Sequence, residues 1–392
     1  MANIIFSILP ETGHINASLK IAKSLKSRGH QVYYLQLAEY EEYIRAQGLE
    51  FIPLLEWSIP KGYKFDHRFS TMENMENCLK AEAAACGALP SDILKKRLSD
   101  VRDKLVKCSP YLLVQDVHAP IGRDELEIEA PWVLLNPTIT SPDTVGDRAI
   151  SAAVSNAPVL ILCPEEFDYA PPARSPNEYY VEPAIDLERN EPSFSLDHIR
   201  RDKPLIYCSF GTQSHWSFGH MPHEVNRRNR KNCLQTIINT MAGDPHRQLI
   251  LSLGDHLRAE DFGPIPANVL LVNNVPQIEI LKRASLMISH GGLNSIKECI
   301  FFGVPLIIFA LVGDQFKNAE AVEYHQLGLK GDLENVSEGL LRNLIDEVTG
   351  NPAFVPKVNR MKEIFRRAES EGRAIKIIES VLARDYQAET AW

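Results

Sequence analysis

The sequence predicts an α/β protein made of two parallel sheets, each covered by helices, with a cleft between them and a polar connection joining them. Three observations predict it. Short apolar runs alternate with stretches of helical periodicity. The alternation stops in a segment rich in proline and acids near the middle of the chain, and it begins afresh beyond that segment. A length of 392 residues suits two domains. With 44% hydrophobic and 24% charged residues, the chain has the balance of an ordinary globular protein able to bury two cores.

The first series opens with NIIFSIL (3–9), a buried strand, followed by a turn and by HINASLKIAKSLKSRG. There Ile15, Leu19, Ala22 and Leu25 recur at helical spacing and Gly29 supplies the stop. QVYYLQL (31–37) and LEFIPLL (49–55) are the next strands, with a charged helix between them. Residues 57–100 break the rhythm with aromatics, methionine and mixed charge, which predicts an insertion containing helices. Strands return at YLLVQD (111–116) and PWVLLNP (131–137). The connection, about 164–203, holds one short strand at YVEPAI. The second series runs through PLIYCSFG (204–211), RQLILSLG (247–254), NVLLVNN (268–274), LMISHGG (286–292) and VPLIIFA (304–310), and ends in a charged helical tail over 352–384. The expected division is 1–200, 201–370, and a terminal helix over 371–392 that packs back on the first domain.

Composition removes several classes of function. A formal net charge of −9 argues against nucleic acid as a partner. No apolar run approaches the ~20 residues that span a bilayer. The opening MANIIFSILPETGH has no basic segment and no cleavage site, so it reads as a strand and not as a signal peptide. Seven cysteines without C-x-x-C pairing read as core thiols of a cytoplasmic protein. The basic run NRRNRK (226–231) suits either a solvated face or contact with phosphate or anionic lipid, which leaves peripheral membrane contact open. His215, His220 and His223, loosely spaced before Cys233, do not form a zinc set. Neither first strand of a series leads into G-x-G-x-x-G, which disfavours a dinucleotide dehydrogenase.

The most informative stretch is SHGGLNSIKECI (289–300), where a strand passes directly into a helix. A helix N-terminus presents unpaired N–H groups and a partial positive charge. Gly291 and Gly292 let a ligand reach that backbone, and His290, Asn294 and Ser295 add donors, a set suited to a phosphate or diphosphate. The same residues would also serve a well-capped helix that binds nothing. Glu298 lies about one turn further along the same face. A carboxylate is a poor neighbour for phosphate but a good acceptor for ribose hydroxyls, and together they hint at a nucleotide.

Taken with its flanks, NVPQIEILKRASLMISHGGLNSIKECIFFGVPLIIFALVGDQFKNA (274–319) resembles the nucleotide-sugar signature of the UDP-glycosyltransferases. V-P-Q, H-G-G-x-N-S-x-x-E, G-V-P and D-Q followed by asparagine stand in the family's order and spacing. The resemblance extends to GHINASLKIAKSLKSRGHQV near the start and to SFGT (209–212). It implies the GT-B fold, two Rossmann-like α/β/α domains facing each other across a cleft. It further implies that His290, Asn294 and Ser295 meet the diphosphate, with Gly13 and Thr212 also beside the nucleotide sugar, and that Glu298 holds the ribose. Asp314 and Gln315 are then expected on sugar hydroxyls, and Gln277 with the backbone near Val275 at the base. Many plant members carry tryptophan where Asn274 stands, so uridine and thymidine nucleotides both remain open, with a UDP-sugar favoured.

Moving a sugar onto a hydroxyl requires removal of its proton, work suited to a neutral histidine held by a carboxylate. The resemblance assigns these roles to His14, in GHIN, and to Asp116, at the end of YLLVQD. It implies direct attack with inversion at the anomeric centre and no cofactor beyond the nucleotide sugar. Helix dipole and donors stabilise the departing diphosphate, and the chain has no D-x-D pair of the kind that holds a divalent ion in other glycosyltransferases. The aromatics and methionines of 57–90 are candidates for binding a small hydrophobic acceptor. A nucleotide-sugar epimerase or hydrolase, or a non-catalytic nucleotide-sugar binding protein, would share much of this pattern. Loss of transfer in His14→Ala separates the transferase from both.

Overall fold

The computed structural model describes residues 1–62, 70–109, 111–119, 121–139, 157–169, 175–211, 223–254 and 257–389. It forms two compact units. One comprises Met1–Cys163, Pro171–Arg189 and Glu371–Trp392; the other comprises Pro164–Ala170 and Asn190–Ser370. The chain therefore leaves the first unit at residue 163, returns for 171–189, and comes back once more for its last residues. Residues 190–200, placed by sequence with the first domain, group with the second unit.

The first unit holds seven strands: β1 (Asn3–Ser7), β2 (Gln31–Leu37), β3 (Glu50–Leu54), β4 (Tyr111–Asp116), β5 (Trp132–Asn136), β6 (Val159–Ile161) and β7 (Glu178–Tyr180). All pair in parallel in the order β3-β2-β1-β4-β5-β6-β7. Its first helix is α1 (Thr12–Ser27), followed by α2 (Glu41–Ala46), α3 (Ser70–Cys86) and α4 (Pro90–Val106). Side chains alternate across a strand, and β1 shows the consequence. Ile4 and Phe6 enter one core with Ile15 and Leu19 of α1, while Ile5 enters the other with residues of α3 and α4. The expected strand over 180–185 is displaced to β7. Pro183 has no N–H for a ladder, and Ala184 turns the chain at φ 57°.

The second unit repeats the plan. Its strands are β8 (Leu205–Ser209), β9 (Gln248–Ser252), β10 (Val269–Val272), β11 (Ala284–Ser289), β12 (Leu306–Ile308) and β13 (Gly328–Lys330). They too are parallel, in the order β10-β9-β8-β11-β12-β13. Its helices are α5 (His223–Ala242), α6 (Gln277–Leu281), α7 (Leu293–Phe302), α8 (Gln315–Tyr324), α9 (Glu338–Gly350) and α10 (Phe354–Glu371). No described helix is long and apolar enough to cross a membrane.

In both sheets the connections diverge from the first strand, so β1 and β4, like β8 and β11, lead away in opposite directions at their carboxyl ends. Ligands of open parallel sheets bind at such switch points. The insertion contributes to the core. Met75, Leu79 and Ala83 of α3 are buried with Ile52 and Leu54 of β3, so Met75, one of the methionines read as acceptor candidates, packs in the core. Residues 63–69 and the side chains of 70–73 lie outside the described residues.

The terminal helix α11 (Arg373–Glu389) sets Ala374, Ile375 and Ile378 into the same core as β1 and α1. Arg373 donates to the Tyr180 carbonyl at 2.9 Å, and the Ala374 N–H donates to the buried Glu182 carboxylate at 2.9 Å. Ile378→Ala is therefore expected to destabilise the first unit by about 2–5 kcal/mol. Denaturant unfolding followed by tryptophan fluorescence measures it, and a loss well under 1 kcal/mol would mean that the helix is an appendage.

Candidate functional site

Two clusters stand at the two switch points. In the first unit, β1 ends at Ser7 and the chain turns into α1, whose first turn carries Gly13 and His14. β4 lies beside β1 with Ser7 opposite Gln115, so the next residue, Asp116, reaches the same carboxyl edge. There the His14 Nδ1 and the Asp116 Oδ2 are 2.7 Å apart. A carboxylate only accepts, so Nδ1 carries the proton and donates it, which leaves the Nε2 lone pair as the basic site. Asp116 is 1% exposed and the His14 side chain 18%. The other carboxylate oxygen accepts from the His118 N–H at 2.8 Å, and the His118 ring stands edge-on to His14 with centroids 5.6 Å apart. Burial drives the Asp116 carboxyl upward, but the neighbouring His14, joined by His118, outweighs it and holds the group below the usual aspartate value. Beside Gly13 the space is open: a β-carbon there would meet nothing within 4 Å.

In the second unit, β11 passes through His290 and Gly291 into α7, whose N-cap is Gly292. Gly291 has φ +91°, and a β-carbon on it would approach the Ile308 Cγ2 to 2.8 Å, so conformation and space both require glycine. The His290 ring lies between two more glycines. A β-carbon at Gly211, the residue after β8 and Phe210, would come within 2.7 Å of it, and so would one at Gly292. Sequence reasoning quoted Gly211 within SFGT but assigned it no role. Its neighbour Thr212 lies outside the described residues. Burial, against a hydrogen bond to the Ser209 backbone, lowers His290 from an ordinary 6.5 to about 4, with the Arg230 charge adding to the fall. At neutral pH this imidazole is therefore an uncharged donor.

Glu298, 4% exposed, accepts from the Gln277 Nε2 at 2.7 Å, and the Tyr207 hydroxyl donates to the Gln277 Oε1 at 3.1 Å. The same amide lies 3.4 Å from the Ser295 hydroxyl. Gln277, assigned by sequence to the base, and Glu298, assigned to the ribose, thus form one hydrogen-bonded set. Val275 is buried just before it, while Asn274 is exposed. Asn294, in the first turn of α7, is half-buried. Asp314 and Gln315 open α8. The Gln315 Oε1 accepts from the Leu311 and Val312 N–H groups at 2.9 and 3.1 Å, which leaves the NH₂ as the end with which this amide donates. Asn318, one turn on and fully buried, donates to the Gly291 carbonyl at 2.9 Å and to Asp314 at 3.0 Å. It ties the aspartate to the glycine loop, and its signal was the asparagine following D-Q.

Known proteins resemble this chain in sequence and in fold. Residues 238–371 match the C-terminal domain family of erythromycin biosynthesis protein CIII-like proteins. Over 97% of both chains the protein is 28% identical to "Uncharacterized UDP-glucosyltransferase YojK" of Bacillus subtilis (strain 168). The chain is thus similar, over nearly its whole length, to bacterial glycosyltransferases. Solved structures carry the same fold, GT-B. The glycosyltransferase of kitacinnamycin superposes with a TM-score of 0.72 at 19% identity, over 97% of this chain and 98% of that one. The spinosyn rhamnosyltransferase SpnG, complexed with thymidine diphosphate, gives 0.67 at 16% identity over 96% and 100%.

The depressed His290 value yields a stability test. Between pH 6.5 and about 4 the unfolded chain binds a proton that the folded chain refuses, so stability falls as pH drops through that window. Equilibrium unfolding at pH 7 and pH 5 is expected to show roughly 2 kcal/mol of loss from this group. His290→Gln is expected to lose that much less over the same interval. Equal losses in both proteins would show that His290 titrates normally.

Proposed function

We propose that this glycosyltransferase moves a hexose from a nucleotide sugar, UDP-glucose being the first candidate, to a hydroxyl of a small hydrophobic acceptor. His14 acts as the general base and the anomeric centre inverts. The observation that carries the reading is the 2.7 Å contact between His14 and a buried carboxylate. A donor-binding loop alone would serve a hydrolase or a binding protein as well, whereas an oriented neutral imidazole is what activation of an external hydroxyl demands. Similarity to bacterial glycosyltransferases along the whole chain supports the coarser activity, glycosyl transfer from a nucleotide sugar. Uridine and glucose are favoured by the name of the Bacillus relative, whose similarity runs the length of both chains.

In this proposal each cluster takes one part of the chemistry. The acceptor oxygen attacks the anomeric carbon as its proton passes to the His14 Nε2, and the carbon–oxygen bond to the diphosphate breaks. Asp116, already accepting from Nδ1, stabilises the imidazolium that forms. Charge builds on the departing diphosphate, where the first turn of α7, the Gly291–Gly292 backbone and the neutral His290 supply fixed donors that need no reorganisation. Glu298, oriented by Gln277, accepts from ribose hydroxyls, while Asp314 and the Gln315 NH₂ accept and donate at sugar hydroxyls. We assign the protein to the cytosol, where nucleotide sugars are available.

Two measurements test the reading. Thermal unfolding with UDP, dTDP, GDP, their sugars and NAD should show a selective rise with uridine or thymidine diphosphates, about 2.7 kcal/mol at 100 times the dissociation constant. No rise with any of them would remove the donor site. With UDP-glucose and a phenolic acceptor panel, His14→Ala should lose about 10²–10⁴-fold in kcat with nucleotide affinity unchanged. Nuclear magnetic resonance of the product should give the anomeric configuration opposite to the donor's, and retention would reject the direct displacement.

A further inference from the structure

The basic run over 226–231 contains one residue that does not behave as surface. Arg230 is 5% exposed. It occupies the apolar stripe of α5, one turn ahead of Cys233 and Leu234, which lie in the core with Ile237, Ile238 and Met241. A guanidinium is costly to hold among such residues, so its position on this stripe calls for an account.

That account lies at the switch point of the second sheet. The Arg230 Nη2 donates to the Leu253 carbonyl at 3.3 Å, just past the end of β9. The next residue, Gly254, has φ +68°, and a β-carbon built on it would lie 3.9 Å from the Gly211 carbonyl, which places the two glycine turns side by side. Gly211 in turn is packed against the His290 ring. Arg230, the Leu253–Gly254 turn, Gly211 and His290 thus form one contiguous layer beneath the carboxyl ends of β9, β8 and β11. The positive charge is felt at both β8 and β11: it adds to the burial that opposes protonation of His290, and it partly offsets the burial that pushes the Cys208 thiol up. A buried charge is screened by salt far less than an exposed one.

We infer that Arg230 is a positioning residue for the donor diphosphate: from below the glycine turns it supplies a fixed positive charge that discriminates a nucleoside diphosphate from a monophosphate. The inference rests on the donor site proposed above and adds the group that sets its charge preference. Arg230 is buried beside the Leu253–Gly254 turn. It acts through the field it imposes on the loop and through its hold on the Leu253 carbonyl.

Calorimetric titration of UDP, dTDP and UMP into the wild type, Arg230→Met and Arg230→Lys tests this. For Arg230→Met, affinity for the diphosphates should fall about tenfold while UMP changes less, so that the preference for UDP over UMP shrinks; Arg230→Lys should restore most of it. If the wild type binds neither diphosphate, the donor reading itself falls. If the wild type binds and Arg230→Met keeps its UDP to UMP ratio, the charge role is overturned and only the donor site survives. Equal weakening of UDP and UMP would reduce Arg230 to a prop for the Leu253 turn and also overturn it. Should Arg230→Met fail to fold, Arg230→Gln is judged by the same ratio.

Discussion

Backbone at the end of a parallel strand has to turn within a few residues, and at a switch point two neighbouring strands make that turn in opposite directions. Both clusters in this protein occupy the space so opened. At β1 and β4 the divergence leaves room for an imidazole and a carboxylate from positions 102 residues apart. At β8 and β11 it leaves room for a histidine ring only because Gly211 and Gly292, which flank the ring, have no side chains. Everything else in the second site hangs from that packing, since Asn318 secures the Gly291 carbonyl and carries Asp314 with it.

The two histidines serve opposite electrostatic ends. His14 is held by a buried carboxylate, that of Asp116. His290 has no carboxylate among its shift-determining neighbours; burial and the Arg230 charge both oppose protonation. One chain thus sets two residues of the same type in opposite electrostatic surroundings by choosing which charge lies beside each. Asp116 serves His14 in that role, and Arg230 serves His290.

Much of the fold could be read because its central strands are long enough to show their pattern. Gln31–Leu37 and Tyr111–Asp116 were delimited to the residue. Val159–Ile161 and Gly328–Lys330 went unread, because three residues cannot display a period and neither is set off by a strong turn signal. The glycine loop was legible because its signature is local, compressed into twelve consecutive residues. The pairing of His14 with Asp116 needed the family resemblance, as nothing in spacing alone joins positions so far apart. Arg230 was misread as one member of a charged run. Its burial is decided by a helical stripe that becomes apolar only three residues later. Met75 was offered to an acceptor because sequence records apolarity without saying which side of a helix faces the sheet.

The path of the chain between the two units carries a consequence for how the protein comes to be folded. Four crossings separate residues that share a core, and Ala374, Ile375 and Ile378 complete a core begun by Ile4 and Phe6. During synthesis the amino-terminal sheet emerges first, with α1 at hand to cover the face that bears Ile4 and Phe6. The places that Ala374, Ile375 and Ile378 take in that core stay open until the last helix leaves the ribosome, after the second unit's core residues, Ile206 to Phe354, have all been made. The unit that is begun first is thus the one completed last.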